Sequence, residues 1–245
     1  MGLLRETLSG TAFRRALGNT LMASAGSVVV SAVLGTALAL ATGLMRMPGR
    51  ALASFLALSP LLIPSQIMAL AWIELVGSTS PVLSPLGLAP AAGQRNPLYS
   101  GAGVAWLMGL EHMPLVFIAV RARLASVLLD LIEAARIAGA GTRRIVARII
   151  LPLVVPGIAA GGVLAFAAAV GNFGIPALLG IPGRFPVLTT LIYQRLNGFG
   201  PQVMGSVAAM AMVLVALAAG ALLLRQIVLA RMAVPIAAGR GFSGF

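Results

Sequence analysis

The sequence predicts an all-α protein that crosses a membrane several times, on three observations. Apolar stretches of about 20 residues, enough helix to cross a ~30 Å hydrocarbon core, recur along all 245 residues. Sixty per cent of the residues are hydrophobic and 9% charged, with a mean hydropathy of +1.04, whereas about a quarter of residues are charged in soluble domains. The basic residues, all of them arginine, stand at the ends of the apolar stretches, where a membrane protein needs them.

Five spans follow in order. The first, Leu17–Leu44, is too long for the 7–15-residue core of a signal peptide and reads as a mature helix. The second, Ala51–Val76, carries Pro60 and Pro64, which neighbouring helices can tolerate in a membrane. Residues 77–100 hold four prolines and read as a loop. The third span is Gly101–Val120, the fourth Leu153–Val170 and the fifth Val203–Leu224. The Gly/Pro-broken connection before the fifth has room for a short interfacial helix. Residues 1–16 form an N-terminal segment, 17–224 the transmembrane domain and 225–245 a tail.

Small residues recur every four positions on two spans: Ser27, Ser31, Gly35, Ala39 and Gly43 on the first, and Gly157, Gly161, Ala165 and Ala169 on the fourth. That spacing predicts close helix–helix contact in lipid.

Five spans put eleven arginines on one side, including Arg121, Arg123, Arg136, Arg143, Arg144, Arg148 and Arg225. Six lie on the other: Arg5, Arg14, Arg15, Arg95, Arg184 and Arg195. The richer side is cytoplasmic by the positive-inside rule, and the tail with it. Arg5, Arg14 and Arg15 then lie outside, a conflict that an upstream helix missing from this chain would remove.

Composition also excludes functions. The net charge of +12 would suggest nucleic acid in a soluble chain, but here it answers to the membrane, and no nucleic-acid partner is expected. Without cysteine there are no disulfides, thiolate nucleophiles or cysteine metal sites. Without lysine there is no G-x-x-x-x-G-K-[ST] phosphate loop. No catalytic set, cofactor site or metal site is predicted.

The basic loop at 121–152 is more than a charged connector. It contains the stretch EAARIAGAGTRRIVARIILP, Glu133–Pro152, and the overlapping DLIEAARIA, residues 130–138, is good helix former with Asp130 and Glu133 near its start. Gly139 and Gly141 follow where a left-handed cap would end that helix. Thr142 is the expected N-cap of a second, amphipathic helix lying on the membrane surface. Pro152 and Pro156 fall where the chain is expected to turn into the fourth span.

The order Glu-Ala-Ala, three residues, Gly, nine residues, Ile, one residue, Leu-Pro is met at Glu133, Ala134, Ala135, Gly139, Ile149, Leu151 and Pro152. It resembles the EAA signature of binding-protein-dependent ABC importer permeases of the type I fold. The resemblance implies a bacterial inner-membrane, multi-pass permease whose coupling helix docks on a separate cytoplasmic ABC ATPase. Glu133, Ala134, Ala135, Gly139, Leu151 and Pro152 are the implied coupling residues. The implied partners are an ATPase dimer, a second permease subunit or homologous half, an extracytoplasmic substrate-binding protein and the lipid bilayer. The stretches GNFGIPALLG and FPVLTTLIYQRL resemble the iron(III), thiamine and polyamine branch, nearest its iron(III) members, which makes ferric iron the expected substrate.

Ionisable groups inside a span are functional candidates because each is costly in hydrocarbon. Glu111 and His112 lie mid-way along the third span and Asn172 at the end of the fourth; they are the candidate substrate-path residues. Glu111 and His112, about 100° apart on a helix, are not expected to pair. Two other functions remain to be weighed. One is an ion-gradient-driven carrier with Glu111 as proton relay. The other is an intramembrane hydrolase with His112 as base and Ser27, Ser31 or Ser206 as nucleophile.

Overall fold

A computed structural model describes residues 7–44, 48–125, 134–198, 200 and 202–232, with side chains as far as 227. Among them there are helices and no strands. In chain order the main helices are α1 (Thr11–Leu44), α2 (Arg50–Leu58), α3 (Ser65–Val76) and α4 (Gly101–Ala125). They are followed by α5 (Thr142–Gly171), α6 (Leu188–Leu196) and α7 (Val203–Met232).

Four of these, α1, α4, α5 and α7, are long and apolar enough to cross a membrane. The expected second span is instead a broken pair. A 3₁₀ turn at Ser59–Leu62 and extended backbone at Ile63 and Pro64 separate α2 from α3, with a bend of 112° at the break. Pro64 has no N–H to continue a helix, and the residue before a proline is pushed out of the α region. Ile63 is accordingly at φ −103°, ψ 122°.

The pair nevertheless passes from one end of the bundle to the other. Ala57 of α2 packs with Val116, Phe117 and Val120 from the second half of α4. Met68 and Ala69 of α3 pack with Val104, Leu107 and Met108 from its first half. Asn96 then donates from Nδ2 to the carbonyl of Ile73 at 2.9 Å, closing α3 onto the loop before α4.

Both small-residue stripes pack against α4. A Cβ on Gly35 of α1 would stand 2.8 Å from the carbonyl oxygen of Met113, and one on Gly161 of α5 only 2.6 Å from the Cα of Val116. The backbones meet where only hydrogen fits, as the spacing predicts. Helix α4 is therefore the axis of the fold, clasped between α1 and α5, while α7 lies at the periphery against α5 and α6.

The division of arginines between two ends is also seen. Arg15 Nη2 donates to the carbonyl of Arg184 at 3.2 Å, and Arg95 Nη2 to that of Pro182 at 2.5 Å, so three arginines of the poorer set meet at one end. Arg121 and Arg123 lie at the other end, beside Gly43 and Gly157.

The amphipathic surface helix expected after Gly141 is not separate. Residues 142–171 run as one helix, and Pro152 and Pro156 lie within it rather than at a turn. A π turn at Val146–Ile150, with Leu151 N–H reaching back to the carbonyl of Val146, precedes Pro152. Such a widened turn accommodates a residue that cannot donate to the fourth carbonyl behind it. Gly141, in extended conformation, occupies the N-cap position expected for Thr142. The short helix expected in the last connection is α6.

Candidate functional site

Two places carry the residues singled out by sequence. The first is the EAA segment. Glu133 lies outside the described residues, but the turn after it is defined. Residues 134–137 form one helical turn and Gly139 follows at φ +77°. The N–H of Gly139 donates to the carbonyl of Arg136 and that of Ala140 to the carbonyl of Ala135, both at 2.9 Å. These are the two bonds of a Schellman cap, which needs the left-handed conformation that glycine adopts without Cβ strain.

The cap gives the segment an inner and an outer side. Ala135 and Ala140 pack on the cluster that holds Ile145, Ile150 and Val154. Ala134, Arg136, Gly139 and above all Ile137, 88% accessible, face outward. Leu151 and Pro152 are exposed two turns further along α5, on the same arginine-rich end. Ile137 was not singled out by sequence, because one isoleucine among alanines carries no pattern.

The second place is a polar cluster in mid-bundle. Asn172 ends α5 in extended conformation, φ −66° and ψ 129°. Its Nδ2 donates to Glu111 Oε2 at 2.7 Å, while Ser65 Oγ, in the first turn of α3, donates to Glu111 Oε1. Asn172 Oδ1 accepts from the N–H of Ile175 at 3.2 Å, and its carbonyl from Thr189 Oγ1 of α6 at 2.9 Å. His112 Nδ1 lies 3.4 Å from Ser27 Oγ of α1, and its Nε2 3.9 Å from Glu111 Oε2.

All three predicted substrate-path residues are thus in one network, with Ser65, Ser27 and Thr189 as members that sequence reading did not place there. The expectation that Glu111 and His112 do not meet is corrected. Side chains 100° apart at Cα still converge at their tips when one is as long as glutamate. The cluster is satisfied from within the chain, as buried polar groups must be, and ties α1, α3, α4, α5 and α6 together at one level.

Ser27 and His112, one pairing considered for a hydrolase, do approach each other. Yet Ser27 is fully buried and cannot be reached by a substrate. Ser31 donates to the carbonyls of Ser27 and Gly109 at 2.7 and 2.9 Å, and Ser206 only to that of Val203, so neither is a free nucleophile.

Comparison with known proteins shows the family. Residues 33–234 match the model of the family described as binding-protein-dependent transport system inner membrane component. The chain belongs to that family. This permease is 31% identical over 120 residues to the inner membrane ABC transporter permease protein YdcU of Escherichia coli K12, covering 49% of this chain and 38% of YdcU. It is 37% identical over 101 residues to the molybdenum transport system permease protein ModB of the same organism, covering 40% of this chain and 44% of ModB. The matched part is thus less than half the length of these two curated relatives.

A third relative, the ferric transport system permease protein FbpB of Actinobacillus pleuropneumoniae, is 27% identical over 184 residues, covering 75% of this chain and 26% of that protein. In fold the permease resembles a bacterial ABC transporter that imports alginate, with a TM-score of 0.72 at 22% identity over 93% of this chain and 83% of that one. It also resembles the MetNI methionine ABC transporter, with a TM-score of 0.61 at 19% identity over 92% of this chain and all of that one. It is a multi-pass inner-membrane protein of the ABC importer permease kind, with the α-helical fold that its sequence predicts.

Proposed function

We propose that this permease forms the translocation path of an ATP-driven importer and that the EAA segment, Glu133 with the capped turn that follows it to Gly139, is the coupling point for a separate ATPase. The observation that carries this is the outward face of the capped turn. Ile137 stands 88% accessible beside Ala134 and Gly139, on the arginine-rich, cytoplasmic end. A projecting apolar knob between small residues suits a groove on a partner, where buried apolar anchors carry most of the binding energy. Because the inner side of the same turn packs on the start of α5, a pull on the knob is transmitted to a spanning helix. Leu151 and Pro152 mark the adjoining part of that helix.

The partners that follow are an ATPase dimer, a second permease subunit or homologous half, and an extracytoplasmic binding protein. Glu111, His112 and Asn172 act on the path by holding the broken pair and the end of α5 in register, rather than by touching substrate. Nothing in this reading calls for Glu111 to carry protons from a gradient. Uptake into proteoliposomes that stops without ATP and ignores an imposed pH gradient separates the importer from the carrier.

For the substrate we propose ferric iron, supported by the likeness to FbpB. A metal oxyanion is the second reading, favoured by the likeness to ModB and by the arginines on the other end, Arg14, Arg15, Arg95, Arg184 and Arg195, all exposed. The experiment is purification of the chain from its host membranes with whatever accompanies it. An ATPase recovered with the native chain and lost with Glu133→Arg, Gly139→Asp supports the coupling reading, and its absence even after crosslinking overturns it. The ligand of a co-purified binding protein, iron or oxyanion, decides the substrate.

A further inference from the structure

The arginine-poor end of the bundle, opposite the coupling turn, holds one residue in a conformation it does not favour. After a π turn at Pro176–Gly180, the N–H of Phe185 donates to the carbonyl of Gly180 at 2.8 Å and that of Arg184 to the carbonyl of Ile181 at 3.1 Å. These are again the two bonds of a Schellman cap. The same bonds at residues 83–88 and 135–140 leave Gly87 and Gly139 in the left-handed position, at φ +66° and +77°. Here the position falls to Arg184 at φ +53°, the one non-glycine residue with positive φ among those described. A Cβ in that region is costly. It persists only where the surroundings enforce it, and such outliers gather at functional sites.

The surroundings do enforce it. Arg15 Nη2 of α1 donates to the carbonyl of Arg184 itself, Arg95 Nη2 to that of Pro182, and Asn19 Nδ2 to that of Pro186 at 2.8 Å. Phe185 lies against the start of α4, where a Cβ on Gly101 would stand 2.6 Å from its ring. The loop is clamped over the end of the helix that forms the axis of the fold, not at its lipid-facing rim.

What the clamp presents is charge. Arg15, Arg95 and Arg184 are all exposed, and no carboxylate of a described residue forms an ion pair with them. An extracytoplasmic end is where arginine is least expected, so three of them meeting at one strained loop call for a ligand of opposite charge. Exposed on three separate segments, they make an open face. That suits the carboxylates of a protein surface better than a small enclosed anion, and guanidinium pairs with carboxylate through two parallel bonds.

We propose that Arg184, flanked by Arg15 and Arg95, is the contact point for an acidic patch on the extracytoplasmic binding protein. The proposal rests on the importer reading above and holds for either substrate. Charge of this kind steers association and makes it salt-dependent.

The test is zero-length carbodiimide coupling in host membranes that hold the full assembly. Arg184→Lys gives a chain without lysine a single side-chain amine. It is joined to an aspartate or glutamate of one extracytoplasmic protein, identified by mass spectrometry, and about 0.5 M NaCl lowers the yield about fivefold by screening. Arg184→Gly relieves the left-handed strain, so it melts no lower than the native chain. It nevertheless recovers about fivefold less of that protein, while recovery of the ATPase at the other end is unchanged. No coupled product, coupling only to lipid or to another copy of the chain, or full recovery of the protein by Arg184→Gly overturns the proposal. If the native chain recovers no ATPase either, the importer reading falls and the docking surface with it.

Discussion

Asn172 Nδ2 lies 2.7 Å from Glu111 Oε2, so the residue that ends α5 is bonded to the middle of α4. The same carboxyl accepts from Ser65, in the first turn of α3. One side chain therefore fixes three helix segments, two of them at their ends. A glutamine in place of Glu111 keeps one acceptor oxygen and turns an amide NH₂ toward the other donor. Glu111→Gln should destabilise the detergent-solubilised protein by about 1–3 kcal/mol, the range for a buried donor left unsatisfied. Asn172→Ala should fall in the same range. Thermal melts of both singles and the double test whether they act as one unit. Simple addition of the two effects would mean that the bond contributes nothing of its own.

The close approach of helices predicts a sharp contrast among glycines. Gly35→Leu and Gly161→Leu would each force a side chain into the backbone of α4, at 2.8 Å from Met113 O and 2.6 Å from Val116 Cα. Overpacking typically costs about 1–3 kcal/mol, and here the obstacle is main chain that cannot rotate aside. Both variants should be poorly recovered from membranes. Gly171→Ala, where a Cβ meets nothing within 4 Å, should be recovered like the native chain. Equal yields of all three on size exclusion would contradict the packing.

Several of these features were legible in the sequence and others were not, for physical reasons. The length and spacing of apolar stretches identify α1, α4, α5 and α7, because hydrocarbon thickness sets a helix length that composition cannot hide. The four-residue stripes identify the faces that meet α4. Whether Pro64 kinks or breaks a span depends on what re-satisfies the freed carbonyls, which is a tertiary matter. Likewise Pro152 and Pro156 read as a boundary, yet the π turn at 146–150 carries the helix through. Glu111, His112 and Asn172 were recognisable one by one as polar groups in apolar surroundings. Their partners Ser65, Ser27 and Thr189 were not, since serine and threonine are common in membrane helices and only the fold shows which of them meet a carboxyl.

Gly139 makes a prediction about conformation rather than space. A Cβ there would meet nothing within 4 Å, but the residue sits at φ +77°. Gly139→Ala should therefore strain the Schellman cap by about 1 kcal/mol, and Gly139→Asn should be milder because asparagine tolerates the left-handed region. Global stability should hardly change, since the turn lies at the end of the bundle. ATP-driven uptake should drop in the order Gly, Asn, Ala if the turn must present its outer face to the ATPase. Equal uptake by all three would remove the cap from the coupling account.

Ile137 gives the most direct test of how the turn engages its partner. It is 88% accessible in the isolated chain, so Ile137→Ala removes apolar surface without opening a cavity, and the chain's own melting temperature should be unchanged. If the side chain is an anchor in a groove of the ATPase, its truncation should weaken association by about 1.5–3 kcal/mol, the transfer value of a fully buried aliphatic side chain. That is roughly a tenfold to 150-fold rise in Kd. Ile137→Asp should be worse, placing a carboxyl in an apolar pocket. Titration of the ATPase against the permease in nanodiscs, read by fluorescence anisotropy, separates the cases. Native affinity in Ile137→Ala with lost uptake would assign the residue to force transmission, and native values for both would leave it outside the interface.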